Sequence, residues 1–163
     1  LWVNLPSDFK MASPRYQSFD EVDFPVIHRD HERIKIKVIA GSFVSTVSPV
    51  KTFTPINIYE VNGTENSELK IPLSDESNTL IFQLSGKLRI GNQQIQCGNL
   101  GIFSRKGSSL QIKMEEKSKV LILNGEPIDE PIAAYGPFVM NTQQEVMEAF
   151  RDFQEGKMGN LVL

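Results

Sequence analysis

Residues 124–144 read NGEPIDEPIAAYGPFVMNTQQ, and the rest of the chain sorts to either side of them. Upstream come short strands and turns; downstream comes one helix. Pro127, Pro131 and Pro137 each fix φ and remove a backbone donor. The stretch should therefore follow an ordered path that neither coils into a helix nor pairs continuously in a sheet. Ile128, Ile132, Tyr135, Phe138 and Met140 are expected to pin that path by packing, and Gly136-Pro137 to turn the chain into the helix. Thr142 suits an N-cap and Glu145 follows at capping-box spacing. Val146, Ala149, Phe150 and Phe153 share one helical face, and Gly156 and Gly159 supply the stop. That face is expected to pack on the body of the protein or a neighbouring domain rather than to open a partner groove.

Working back toward the N-terminus, the strands come close together. They are expected at 68–72, 79–84, 87–91, 93–96, 100–103, 109–114 and 118–124, broken at Ser85-Gly86, Gly91-Asn92, Gly98-Asn99 and Lys106-Gly107. Leu88 and Ile90 alternate with Lys87 and Arg89, and Leu110, Ile112 and Met114 with Gln111 and Lys113. Such half-buried strands suit an antiparallel sheet with one wet face. Further back, residues 34–39 alternate with period two, and residues 56–61 form a strand running into Asn62-Gly63, a strong hairpin signal. The sequon Asn62-Gly63-Thr64 is read as that turn, not as a glycosylation site. Residues 6–33 read as a draped linker anchored by Tyr16, Phe19 and Phe24, and residues 1–5 as a short strand. The expected division is thus 1–33 strand and linker, 34–124 barrel, and 125–163 proline-rich crossing and helix. Many short strands with glycine turns and no βαβ unit predict an all-β sandwich or barrel.

The 163 residues suffice for one well-buried domain. A net charge of −3 spread over the chain gives no basic footprint for nucleic acid. No apolar run approaches the length of a membrane span, and no signal peptide is evident. The single cysteine, Cys97, permits no internal disulfide and fits an intracellular origin, cytoplasmic or, in a eukaryote, nuclear. Leu1 in place of Met leads to the expectation that the natural N-terminus has been lost.

Candidate chemistry is sparse. His28-Arg29-Asp30-His31-Glu32 is the one cluster with metal-ligand residue types, but it lies between Pro25 and a strand, with Arg29 and Arg33 among the ligands. It is read as a solvated loop, because a third histidine is missing. Cys97 is read as a strand-end residue before a turn, since no histidine lies near it in sequence. Asp75-Glu76 and Glu115-Glu116-Lys117 read as loop solvation. There is no GxSxG elbow and no glycine-rich phosphate loop.

The runs Gly125-Glu126-Pro127, Glu130-Pro131-Ile132 and Gly136-Pro137-Phe138-Val139-Met140-Asn141-Thr142 resemble the C-terminal signature of the pirin family. Leu1-Trp2-Val3-Asn4-Leu5-Pro6, with Lys10-Met11, Pro14 and Tyr16-Gln17, resembles the segment that follows the first pirin barrel. Ile36-Lys37-Val38-Ile39-Ala40-Gly41 resembles the start of the second. The resemblance implies the C-terminal half of a bicupin: a cupin-type double-stranded β-helix, or jelly-roll barrel, with one C-terminal α-helix. In that family the N-terminal cupin holds an iron through three His and one Glu. The iron is associated with quercetin 2,3-dioxygenase activity, and with redox-linked transcriptional co-regulation in a human member. All four ligands precede the segment matching Leu1, so this chain is expected to bind no cofactor of its own and to have a missing N-terminal cupin domain as its partner.

The cupin pattern can still be laid on the second barrel. Its first motif, with the glycine at Gly86, puts the glutamate position at Thr79 and the histidine positions at Pro72 and Ser74, or at Leu73 and Asp75. Its second motif, with the glycine at Gly107, puts proline at Arg105 and histidine at Leu110. None of these residues supplies the usual His/Glu set, so no catalytic, cofactor-binding or metal residue is expected. The alternative reading is a non-catalytic interaction module or transcriptional co-regulator of the pirin type, and a third is a stand-alone cupin with a small-ligand cavity. Residues 1–5 are expected to belong to the missing barrel or to bridge the two barrels, and the chain by itself to self-associate.

Overall fold

The computed structural model describes residues 1–159. Tertiary contacts divide them into two compact units: residues 16–127, and residues 1–15 together with those from 128 on.

The larger unit is built from β1 (Val26–Arg29), β2 (Ile34–Ala40), β3 (Ser42–Phe43), β4 (Thr46–Val47), β5 (Ile56–Gly63) and β6 (Glu68–Pro72). These are followed by β7 (Asn78–Ser85), β8 (Lys87–Ile90), β9 (Gln93–Gln96), β10 (Leu100–Ile102), β11 (Ser109–Met114) and β12 (Ser118–Gly125). A six-stranded sheet runs β1-β2-β5-β12-β7-β10 and a four-stranded sheet β6-β11-β8-β9. The pairs from β5 onward are nested: β8 with β9, β7 with β10, β6 with β11, β5 with β12, all antiparallel. One long hairpin has been wrapped so that successive strands alternate between sheets. This is the jelly roll of a cupin-type barrel.

Period-two patterning fills the barrel. Ile34, Ile36 and Val38 of β2, Tyr59 and Val61 of β5, Ile81 of β7, and Val120 and Ile122 of β12 point inward from the larger sheet. Leu69, Ile71, Leu88, Ile95, Ile112 and Met114 meet them from the smaller one in a single core cluster. The other face of the larger sheet carries two apolar rows. Ile58, Leu123, Leu80 and Ile102 lie in register across four strands, as do Leu121, Phe82 and Leu100 across three. Leu100 and Ile102 are 50% and 75% exposed.

Two expectations change in this unit. The connection before residue 34 is not structureless: it holds a 3-10 turn at Glu21–Asp23 and the edge strand β1, which pairs with β2 from Val26↔Lys37 to Arg29↔Ile34. β1 buries little beyond Ile27, which packs against the core, so the backbone ladder does most of the holding and no alternating hydrophobic pattern announces it. Asn62-Gly63 is not a turn. Both residues are paired in β5, and the chain reverses at 64–67 with Asn66 at φ 62°. Gly63 is there for space: a Cβ would lie 2.8 Å from Cγ of Met114. Residues 42–55 also contribute the small β3–β4 hairpin.

The smaller unit comprises a 3-10 turn at Ser7–Phe9, the hairpin β13 (Ala133–Tyr135) and β14 (Phe138–Met140), and α1 (Gln143–Gln154). Residues 1–5 form no strand; Leu1 and Trp2 are 86% and 68% exposed. The proline-rich crossing does pair, but only briefly. Pro127 and Pro131 lie before the hairpin and Pro137 at its turn, so none has to donate to the ladder. Ile132 stays exposed; Tyr135, though 70% exposed, packs its ring on Phe150 at 5.5 Å, and Ala133, Phe138 and the helix supply the rest of the packing. Phe138 stands edge-on to Phe150 at 4.8 Å. The capping box forms as the spacing predicts: the Glu145 amide donates to Thr142 Oγ1 at 3.2 Å, and the Thr142 amide to the Glu145 carboxylate at 2.7 Å.

Glu130 links two of the signature runs. Its carboxylate accepts from the Ser7 amide at 2.8 Å, the Ser7 hydroxyl at 3.2 Å and the Asn141 side-chain amide at 2.7 Å. One carboxylate thereby ties the first helical turn of the chain to the residue preceding the α1 cap. Those bonds, the Ser7 amide first, hold the Glu130 carboxyl below its ordinary range.

Candidate functional site at the barrel mouth

The inward phase of β12 runs Val120, Ile122, Asn124, so the strand that fills the core ends on a buried amide. Register places Asn124 between Asn57 of β5 and Thr79 of β7. Asn57 Nδ2 donates to Asn124 Oδ1 at 3.1 Å. Asn124 Nδ2 in turn donates to Ser77 Oγ at 2.7 Å, Thr79 Oγ1 at 3.0 Å and the Asn78 carbonyl at 3.2 Å. The Ser77 hydroxyl donates to the Ser74 carbonyl at 2.6 Å. A polar relay therefore crosses the larger sheet at one end of the hydrophobic core, with every amide group satisfied.

Thr79 and Leu110, from opposite sheets, line the same pocket of ≈ 200 Å³. Leu73 and Phe103 complete its apolar wall, and Arg105 and Lys106 stand at its solvent side. Thr79 is 3% exposed. Its backbone carbonyl accepts from the Phe103 amide at 3.0 Å, which seats the Phe103 segment against β7. The Arg105 Nε donates to Asn78 Oδ1 at 2.9 Å, and the Gly107 amide to Asp75 Oδ1 at 2.9 Å, so the rim loops are stitched to each other.

The positions assigned to cupin ligands do converge, but their chemistry does not fit an iron. Thr79 offers a neutral alcohol and Leu110 a hydrocarbon. Leu73 is wall, Pro72 ends β6, Ser74 uses its carbonyl on Ser77, and Asp75 is engaged by the Gly107 amide. Among the described residues no group of three His, Cys, Asp or Glu side chains is placed to hold a metal ion.

The remaining candidates lie elsewhere. The histidine cluster forms the β1–β2 turn, with Asp30, His31 and Glu32 all at positive φ of 52–69°. His28 Nδ1 meets Glu32 at 2.7 Å, and Asp30 pairs with Arg33 at 2.7 Å while accepting from the Glu68 amide. The Arg33 hydrogen bond, more than any other contact, holds the Asp30 carboxyl low. These carboxylates are spent on closing the turn. Cys97 is exposed just after β9, its thiol directed to the Leu84 carbonyl at 3.3 Å. Glu115 pairs with Arg89 and Lys87. Tyr59 donates to the Ser42 carbonyl, and burial pushes its pKa to about 12, so it remains a neutral donor.

Asn57, Ser77 and Asn124 are the site residues that sequence reasoning does not single out. For Asn124 a signal exists: it continues the inward alternation of Val120 and Ile122 at the end of an apolar strand. For Asn57 and Ser77 nothing short of the strand register reveals it.

The wrapped hairpin and its mouth, bounded by the positions where ligands would stand, define a cupin barrel. The pirin C-terminal cupin domain matches residues 58–159, and the chain belongs to the pirin family. It is 34% identical over 159 residues to a pirin-like protein of Caulobacter vibrioides, and 31% identical over 165 residues to human pirin. These matches cover 96% and 98% of the chain but 57% and 56% of the relatives, so the chain spans little more than half their length. Its fold is similar to a quercetin 2,3-dioxygenase from Acinetobacter baumannii, with a TM-score of 0.92 and 35% identity over 99% of this chain and 56% of that one.

Proposed function

We propose that this chain is the supporting cupin of a pirin-type quercetin 2,3-dioxygenase, working inside the cell beside a second cupin that holds an iron. The observation that carries this reading is the pair Thr79 and Leu110. Two cupin ligand positions meet at the barrel mouth with side chains that cannot hold the metal, in a chain 35% identical to a quercetin 2,3-dioxygenase. The iron-dependent step then belongs to the partner cupin, and this barrel contributes a rigid body and a flat apolar seat. The rows Ile58-Leu123-Leu80-Ile102 and Leu121-Phe82-Leu100 supply such a seat, since contiguous outward apolar surface of this kind favours association. Without the partner, the chain self-associates through it.

The test is quercetin turnover under iron(II) and O2, by the chain alone and by the chain fused to the remaining N-terminal part of the Acinetobacter enzyme. The fusion should consume quercetin, and the chain alone should not, while light scattering shows it to be larger than a monomer. Turnover by the chain alone at the rate of the fusion would overturn the proposal.

A further inference from the structure

We propose that β10 is a dimerisation edge, on which a second copy of this chain pairs antiparallel about a twofold axis at Gly101. The larger sheet ends at β10, and among the described residues no strand pairs with its outer side. The Gln83 amide donates to the Asn99 carbonyl at 3.1 Å, and the Phe103 amide to the Thr79 carbonyl at 3.0 Å. Antiparallel pairs alternate between bonded and non-bonded, so Asn99, Gly101 and Phe103 turn their backbone groups to β7. Leu100 and Ile102 therefore turn theirs the other way, to the open side. Sheet edges are ordinarily guarded by charge, proline or a covering element. Residues 97–104 read CGNLGIFS and hold neither charge nor proline, and Leu100 and Ile102 are both exposed. Beside the edge runs a groove of ≈ 500 Å³ with Ile90, Gln93 and Ile95 on its far side, so the barrel leaves room along the seam between β9 and β10.

The edge is complementary to itself. A twofold contact uses the same patch on both chains. With the axis at Gly101, Leu100 of each chain faces Ile102 of the other, and every outward N–H meets an outward carbonyl. Gly101 meets its own counterpart in a non-bonded pair, where Cα atoms come within about 4.5 Å. A side chain is already barred there, since a Cβ would lie 2.6 Å from Ile95 Cδ1. The same axis joins the row Ile58-Leu123-Leu80-Ile102 of one chain to Leu100-Phe82-Leu121 of the other, and the converse. Arg105 and Lys106 fall opposite Cys97 and Gln96 of the second copy, so the strand pair sets no like charges against each other. A foreign strand satisfies the same hydrogen bonds, but a second copy also continues both rows. Three paired residues and their rows make a small interface, below roughly 600 Å² per partner, and the dimer dissociates on dilution.

This pairing rests on the self-association proposed above and gives it a geometry, and quercetin turnover does not bear on it. Sedimentation velocity of the full chain across a concentration series should show a monomer–dimer equilibrium. Amide exchange at Leu100 and Ile102 should slow at least about tenfold between the dilute and the concentrated chain. Association through the outer face alone leaves both amides fast. Ile102→Pro removes one outward N–H and no bond to β7, a placement that edge strands tolerate. It should weaken dimerisation at least about tenfold. Leu121→Lys, on the outer face two strands from the edge, should leave the slowing at both amides intact. A monomer at every concentration would overturn the proposal, as would a dimer whose Leu100 and Ile102 amides exchange as they do in the monomer. An assembly lost in Leu121→Lys and kept in Ile102→Pro would overturn the edge while leaving the apolar seat.

Discussion

Gly86 sits where β7 hands over to β8, at φ +74°, and a Cβ there would stand 2.2 Å from the Lys117 carbonyl oxygen and 2.9 Å from the Ser118 Cα. Backbone cannot give way as a side chain can, and the left-handed conformation adds its own strain for any other residue. Gly63, with an ordinary φ, is crowded only by the flexible Met114 side chain and Ser67 Oγ. Gly86→Ala should therefore cost at least about 3 kcal/mol. Gly63→Ala should cost about 1–2 kcal/mol as Met114 repacks. Urea midpoints of the two variants check the order; a larger loss at Gly63 would mean that the β12 backbone yields. At this scale the sequence is a partial guide. Gly86 is legible as a turn glycine, whereas Gly63 looks like a turn residue and is a packing residue. Nothing local distinguishes the two, because the atom that crowds Gly63 is on Met114, fifty-one positions away.

The strands from β6 to β12 are legible almost to the residue, because Gly or Ser-Gly breaks separate short alternating runs. Helix α1 is legible because its cap and its stop are both local. β1 is not, since it buries little and owes its existence to the ladder with β2. The terminal unit makes the sharpest prediction among the elements. Glu130 accepts from Ser7 and Asn141, and Glu145 first from Thr142 and then from Asn141. These bonds hold both carboxyls below the ordinary value of 4.5. A carboxyl depressed in the folded state contributes stability that is complete above its unfolded value and is lost as pH falls through the folded one. The α1 end of the chain should thus lose stability as pH falls below about 4.5. Amide exchange of α1 between pH 6 and pH 3 reads this directly. Glu130→Gln with Glu145→Gln should flatten the dependence, and an unchanged acid profile in that pair would place the effect elsewhere.

For the whole molecule, the fold class follows from spacing alone, since many short strands without crossover helices leave little besides a sandwich or barrel. The nested pairing does not follow, because β5 finds β12 across sixty residues and each pairing depends on the others. The mouth is legible in outline: the cupin pattern laid over the sequence names Thr79 and Leu110, and the structure brings both to one pocket. The relay from Asn57 through Asn124 to Thr79 is hidden, being a cross-strand row and not a motif. The proposal that this barrel holds no iron, with an alcohol and a hydrocarbon at the Thr79 and Leu110 positions of one pocket, is the centre of this account. Metal analysis after loading tests it most directly. The chain, incubated anaerobically with excess iron(II) and passed through a desalting column, should retain no stoichiometric iron, and Thr79→Val should make no difference. One iron retained per chain, and lost in Thr79→Val, would contradict the account.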